Sequence, residues 1–140
     1  MFIKDLRWYN SITERIIRCA IEIHKELGPG LVESVYEVCL KKVLMNDGLN
    51  VKSQLVLPVY FKGEILDKAF VLDLLVEDEI IIELKSLEFI LPVHEAQLVT
   101  YLKLANKKLG LLINFNVVLL KWYTTSNKWR SKLRVTLFTH

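Results

Sequence analysis

Apolar residues at Ile12, Ile16, Ala20, Ile23 and Leu27 recur at the three- and four-residue spacing of one helical face. Ser11 and Glu14 enter that run as an S-x-x-E capping box, so the pattern predicts a helix over residues 12–27. The "GPG" of residues 28–30 supplies a helix-stopping Gly and a Pro that cannot continue the helix, and a second periodic run, 31–46, ends before Gly48. The period then changes. "VKSQLVLPVYF" (51–61), "AFVLDLLVE" (69–77) and "IIIELKS" (80–86) read as strands, with turns at "KGE" and near "EDE", which makes a three-strand meander. "HEAQLVTYLKLA" (94–105) returns to helix and "LGLLINF" (109–115) reads as a buried strand, while "VVLLKWYTT" and "KLRVTLF" suit one or two further strands at a sheet edge. The order of elements is that of an α/β domain.

Within this pattern three charges are out of place. The segment "VLDLLVEDEIIIELKS" (71–86) is otherwise Val, Leu and Ile, yet it carries Asp73, Glu83 and Lys85. Burying an unpaired charge is costly, so charges in such a segment are paired or bound to a metal. Side chains alternate between the faces of a strand, which puts Ile81, Glu83 and Lys85 on one face. If the turn is centred on Asp78, Asp73 lies opposite Glu83 and projects to the same side. Two carboxylates and an ammonium would then converge. Paired acidic oxygens suit Mg²⁺, which keeps several waters and takes further contacts from substrate phosphates. Lys85 beside them could orient or help deprotonate a water, or stabilise charge on a phosphate. On spacing alone, an ion pair of Glu83 or Asp73 with Lys85 at a sheet edge is the readier account, because D-x₉-E-x-K is a loose pattern.

Composition adds less. At 140 residues, 52% hydrophobic and 25% charged, the chain fits one globular domain, residues 1–140, and not a disordered segment. No apolar run reaches the length of a membrane span and "MFIKDLRWYN" lacks the apolar core of a signal peptide, so a cytoplasmic location away from membranes is expected. Cys19 and Cys39 fall in helical patterns without metal-like spacing and read as reduced thiols. The net charge of +3 is unevenly spread: residues 1–95 hold 16 acidic and 11 basic residues, and residues 96–140 hold 8 basic and no acidic ones. Such segregation suits a polyanion-binding face as well as a solvated basic surface. In the tail, Lys121, Lys128, Arg130, Lys132 and Arg134 are interleaved with Trp122, Tyr123 and Trp129, a mixture that suits single-stranded nucleic acid or an amphipathic edge hairpin.

"GPGLVESVYE" contains Gly30, Glu33 and Tyr36 in the order that names the GxxExxY protein family, a branch of the PD-(D/E)XK nuclease superfamily. "HKELGPGLVESVYE", "LPVYFKGE", "DLLVEDEIIIELKS" and "LPVHEAQLVTYLKLANKKLGLLINF" resemble that family in order, over about residues 12–116. The resemblance implies a restriction-endonuclease-like αβββαβ core, a mixed sheet flanked by helices, with one extra N-terminal helix and possible C-terminal edge strands. It implies that Asp73, Glu83 and Lys85 are the D…E-x-K residues, that Glu33 is a further acidic residue at the metal, and that Gln97 and Tyr101 stand where related nucleases carry Q-x-x-x-Y. Leu72 stands in place of the Pro of the superfamily name, and Val71 where many family members carry an Arg.

The expected activity is hydrolysis of phosphodiester bonds in DNA with Mg²⁺, for which Mn²⁺ could substitute. A nucleic-acid- or protein-binding module on the same fold is the alternative, and a homodimer or larger assembly is left open. Gln97 and Tyr101, four apart, share a helical face where an amide could hold a water, Glu83 or a phosphate. His24, one turn before "GPG", reads as a structural residue ahead of a metal ligand. His94 and Glu95 read as capping or flanking the third helix.

Overall fold

The protein is described by a computed structural model covering residues 4–126 and, for the backbone, 134–137. Two helices open the chain, α1 (Leu6–Leu27) and α2 (Glu33–Asn46). Three antiparallel strands follow, β1 (Val51–Phe61), β2 (Glu64–Val76) and β3 (Ile80–Lys85), then α3 (Pro92–Ala105) and the strands β4 (Leu109–Asn114), β5 (Lys121–Ser126) and β6 (Arg134–Leu137). The six strands form one sheet in chain order. Among the described strands only β3 and β4 pair in parallel, as the α3 crossover between them requires. The expected αβββαβ order is met, with α1 as the extra helix and β5 and β6 as the C-terminal strands that extend the sheet beyond β4, β6 at its edge. Of the tail residues singled out in the sequence, Lys128, Trp129, Arg130 and Lys132 lie outside the described residues. No described helix is long and apolar enough to cross a membrane.

One helix boundary differs from expectation. α1 begins at Leu6, where the Asp5 carboxylate accepts the Trp8 N–H, so Ser11 and Glu14 lie inside the helix and not at its cap. The apolar face extends backward through Tyr9, which is buried with Ile12 and Ile16, and this packing carries the helix past the S-x-x-E signal. α3 starts two residues earlier than the pattern suggested, with Pro92 at its first position and His94 Nδ1 accepting the Leu91 N–H, the capping role expected of that histidine.

The helices cover the two faces of the sheet. Ile16, Ile23, Tyr36 and Leu40 pack on Leu74, Ile80, Ile82 and Leu84, whereas Leu98, Tyr101 and Leu102 of α3 pack on Leu72, Leu75, Ile81 and Leu112. Leu72 and Leu75 of β2 thus share a face although they are three residues apart, so strand alternation is interrupted between them, at Asp73. The opposing position in β1 is Gln54, bracketed by the Ser53–Leu74 and Leu55–Leu72 pairs, and it has a φ of 52°. A non-glycine residue in that conformation breaks the pleat, and here both strands turn over together. At the same level the β2–β3 ladder ends with Leu74–Ile82, and the long β1–β2 hairpin departs from the rest of the sheet. Asp73 stands in the fork.

Candidate active site in the sheet fork

The β2–β3 turn is centred on Asp78, as the pattern implied, with Glu77 and Asp78 at φ of 51° and 57° and the register running Val76–Ile80, Leu75–Ile81, Leu74–Ile82. Continued one step, that register sets Asp73 opposite Glu83. Backbone pairing does not continue there. The Glu83 carboxylate accepts the Asp73 N–H at 3.2 Å, and the Asp73 carboxylate accepts the Leu84 N–H at 2.9 Å. Each acid thus occupies an amide that the opening fork would leave without a strand partner, and the reciprocal bonds fix both side chains against each other.

Glu83 is buried, with 5% of its surface exposed, because Ile81 and Leu112 on either side of it are packed under α3. Burial, and then the neighbouring Asp73 carboxylate, push its pKa up to about 8. Burial also raises Asp73, helped by the negative charge of Glu33 and opposed by the Leu84 N–H and by Lys85. Two carboxylates this close, one of them buried and the other half-buried, hold a proton between them readily, or accept a cation.

From the α3 side, Lys85 Nζ donates to Gln97 Oε1 at 3.4 Å. Tyr101, one turn along the helix, is buried with its ring 5.0 Å from that of Phe70. Its hydroxyl pKa is raised by burial and by the charges of Glu83 and Asp73, with a hydrogen bond to Gln97 acting the other way. From the α2 side come Glu33 and Glu37, which with Ser34 and Asp73 line a small open pocket. Glu33 Oε1 accepts the Ser86 N–H at 3.2 Å, and Glu37 takes a hydrogen bond from Gln54. Asp73, between the layers, is within electrostatic reach of Glu33, Glu37, Glu83 and Lys85.

The fold therefore brings together Asp73, Glu83, Lys85, Gln97 and Tyr101, with Glu33 across the fork from the α3 residues. His24 is elsewhere: it is buried on α1 with Nε2 2.7 Å from the Val117 carbonyl oxygen and its ring beside Phe115. Among the described residues no group of three or more His, Cys, Asp or Glu side chains is placed to hold a metal ion. The Asp73–Glu83 pair supplies hard oxygen donors of the kind Mg²⁺ takes one or two of, leaving its other positions to water.

Two residues of this region carried no prior expectation. Glu37 is one helical turn beyond Glu33, a spacing that could have pointed to it. Asn114, buried at 2% exposure and paired with Lys85 in the β3–β4 register, accepts the Leu87 N–H and donates to the Leu87 carbonyl. It thereby fixes the chain just past Lys85; an Asn at that place in "LLINFN" gives no sequence signal of that.

A family model described as the PD-(D/E)XK nuclease superfamily matches residues 10–125. No curated protein matches the chain's sequence. Among solved structures, the crystal structure of SSO0001 is similar with a TM-score of 0.55 at 18% sequence identity, over 84% of this chain and 59% of that one. The chain thus spans less than two thirds of that protein, and the likeness is one of fold.

Proposed function

The chain belongs to the PD-(D/E)XK nuclease superfamily, and from that premise we propose that it is a Mg²⁺-dependent nuclease that hydrolyses phosphodiester bonds in DNA, on the GxxExxY branch marked by Gly30, Glu33 and Tyr36. The observation that carries the reading is the Asp73–Glu83 pair in the sheet fork, with Lys85 and Gln97 beside it. A fold needs no such pair for stability, since a buried Glu83 beside a half-buried Asp73, both with raised pKa values, opposes folding at neutral pH.

Asp73 and Glu83 would hold the metal, each already fixed through a backbone amide, and Glu33 would stand by from α2. The ion, when bound, neutralises charge on the phosphoryl group and lowers the pKa of water. The remaining chemistry falls to the chain's own groups. Lys85, held by the Gln97 carbonyl oxygen, serves the attacking water or the charge developing on phosphate. Tyr101 keeps its proton, because burial and two carboxylates disfavour the phenolate, and so it acts as a hydrogen-bond donor. Gln97, between Lys85 and Tyr101, sets the direction of both.

Calorimetric titration with Mg²⁺ and Mn²⁺ tests this. The wild type is expected to bind and Asp73→Asn to lose most of that affinity with its fold intact; equal affinity in the two proteins would contradict the reading.

A further inference from the structure

Tyr36 follows Glu33 by three residues on α2, and its contacts run to the strand that carries Glu83 and Lys85. α2 starts at Glu33, and side chains on a helix lean toward its N-terminus, so a Tyr three residues on reaches back over the preceding loop. The hydroxyl donates to the Gly28 carbonyl oxygen and accepts the Leu31 N–H at 3.2 Å, closing the α1–α2 loop on itself. That loop passes through Gly28 and Gly30 at φ of 70° and 98°, conformations in which a side chain is strained. Ser86, the residue after Lys85, is tied to the closed loop twice: its hydroxyl donates to the Leu31 carbonyl at 2.6 Å and its N–H to Glu33 Oε1 at 3.2 Å.

The other side of Tyr36 closes the circuit. Its ring is fully buried and stacks on that of Phe115, with centroids 4.3 Å apart and planes 10° apart, and the Phe115 N–H donates to the Lys85 carbonyl at 2.9 Å. The backbone of residues 85–86 is thus held from two directions, and Tyr36 stands on both.

We propose that Tyr36 is a positioning residue: through Leu31 and Ser86 its hydroxyl fixes the Glu33 carboxylate and the backbone that carries Lys85. This gives the G-x-x-E-x-x-Y spacing a physical reason, since the Gly permits the turn, the Tyr locks it, and the Glu is the group so placed. The inference rests on the nuclease reading of Asp73, Glu83 and Lys85, and adds to it a residue that touches none of them.

The test compares the full-length wild type, Tyr36→Phe, Ser86→Ala and the double variant in metal-dependent DNA cleavage, alongside hydrogen exchange at the Leu31 and Ser86 amides. Tyr36→Phe keeps the stacked ring, so the fold should persist while kcat falls on the order of tenfold with KM little changed, the size expected for a small displacement of reacting groups. Ser86→Ala breaks the same link and should act alike, and the double variant should be scarcely worse than either alone. Independent losses that multiply in the double variant, or a wild-type kcat in Tyr36→Phe, would overturn the proposal. If the wild type cuts nothing, the nuclease reading fails separately, and exchange still decides the linkage. In Tyr36→Phe the Ser86 amide should exchange at least several-fold faster; an unchanged rate would show that the hydroxyl does not act through Ser86.

Discussion

Replacing Glu83 by Gln in the metal-free protein should raise stability at high pH and leave it nearly unchanged at low pH. The folded chain keeps a proton on Glu83 until about pH 8, whereas the unfolded chain releases it near the ordinary value of 4.5. Folding therefore takes up a proton between those limits. The contribution is fully present below pH 4.5 and is lost as the pH rises through 8, because the unfolded state binds fewer protons there. At about 1.4 kcal/mol per pH unit the span corresponds to up to roughly 5 kcal/mol, a large part of the stability of a small domain. Asp73, also raised, adds to the same trend. Gln is neutral throughout and accepts the Asp73 N–H as Glu does, so the variant's stability should lack this dependence. Urea unfolding in EDTA from pH 5 to pH 9 measures the difference directly. The gap between variant and wild type should open by several kcal/mol across that range, and saturating Mg²⁺ should restore the wild type at pH 8 without helping the variant as much. A gap that stays constant with pH would refute the placement of Glu83 beside Asp73 in a dry fork.

Three further outcomes concern the α3 side of the site. A Cβ added at Gly110 would meet Leu98 Cδ1 at 2.9 Å and Cγ at 3.1 Å, so Gly110→Ala should destabilise by about 1–3 kcal/mol and, by displacing α3, slow cleavage in the protein that remains folded; melting and single-turnover assays read the two effects. Lys85→Ala should lose rate while retaining metal, and Lys85→Arg should restore little, because a guanidinium is bulkier and cannot act as a base near neutral pH; wild-type cleavage by the Arg variant would mean that only its charge mattered. Gln97→Ala should slow cleavage by on the order of tenfold to a thousandfold with DNA binding in Ca²⁺ nearly constant.

Most of the fold and the centre of the site were legible because they follow from periodicity. The runs that bury Ile16, Leu40, Ile82 and Leu98 mark their own faces, and the turn at Asp78 fixed the level of Asp73 against Glu83. Alternation could not place Asp73 between the two layers. That depends on the positive φ of Gln54 and the matching break in β2, which no Gly or Pro announces. The start of α1 was misplaced for a related reason: a local capping pattern at Ser11 competes with packing of Tyr9 that only the assembled core supplies. Asn114 and Ser86 were invisible because each acts on backbone brought to it from elsewhere in the chain, Leu87 in the one case and Leu31 in the other.

Cleavage of end-labelled DNA by the purified protein tests the central claim most directly, with single-stranded, duplex and nicked forms, and RNA beside them, each in Mg²⁺, Mn²⁺ and EDTA. The account predicts that the wild type hydrolyses at least one DNA form in the presence of metal, that EDTA abolishes the activity, and that Asp73→Asn, folded as judged by its melting transition, has none. Activity that persists in Asp73→Asn, or a wild type that binds DNA yet leaves every form intact in both metals, would contradict it.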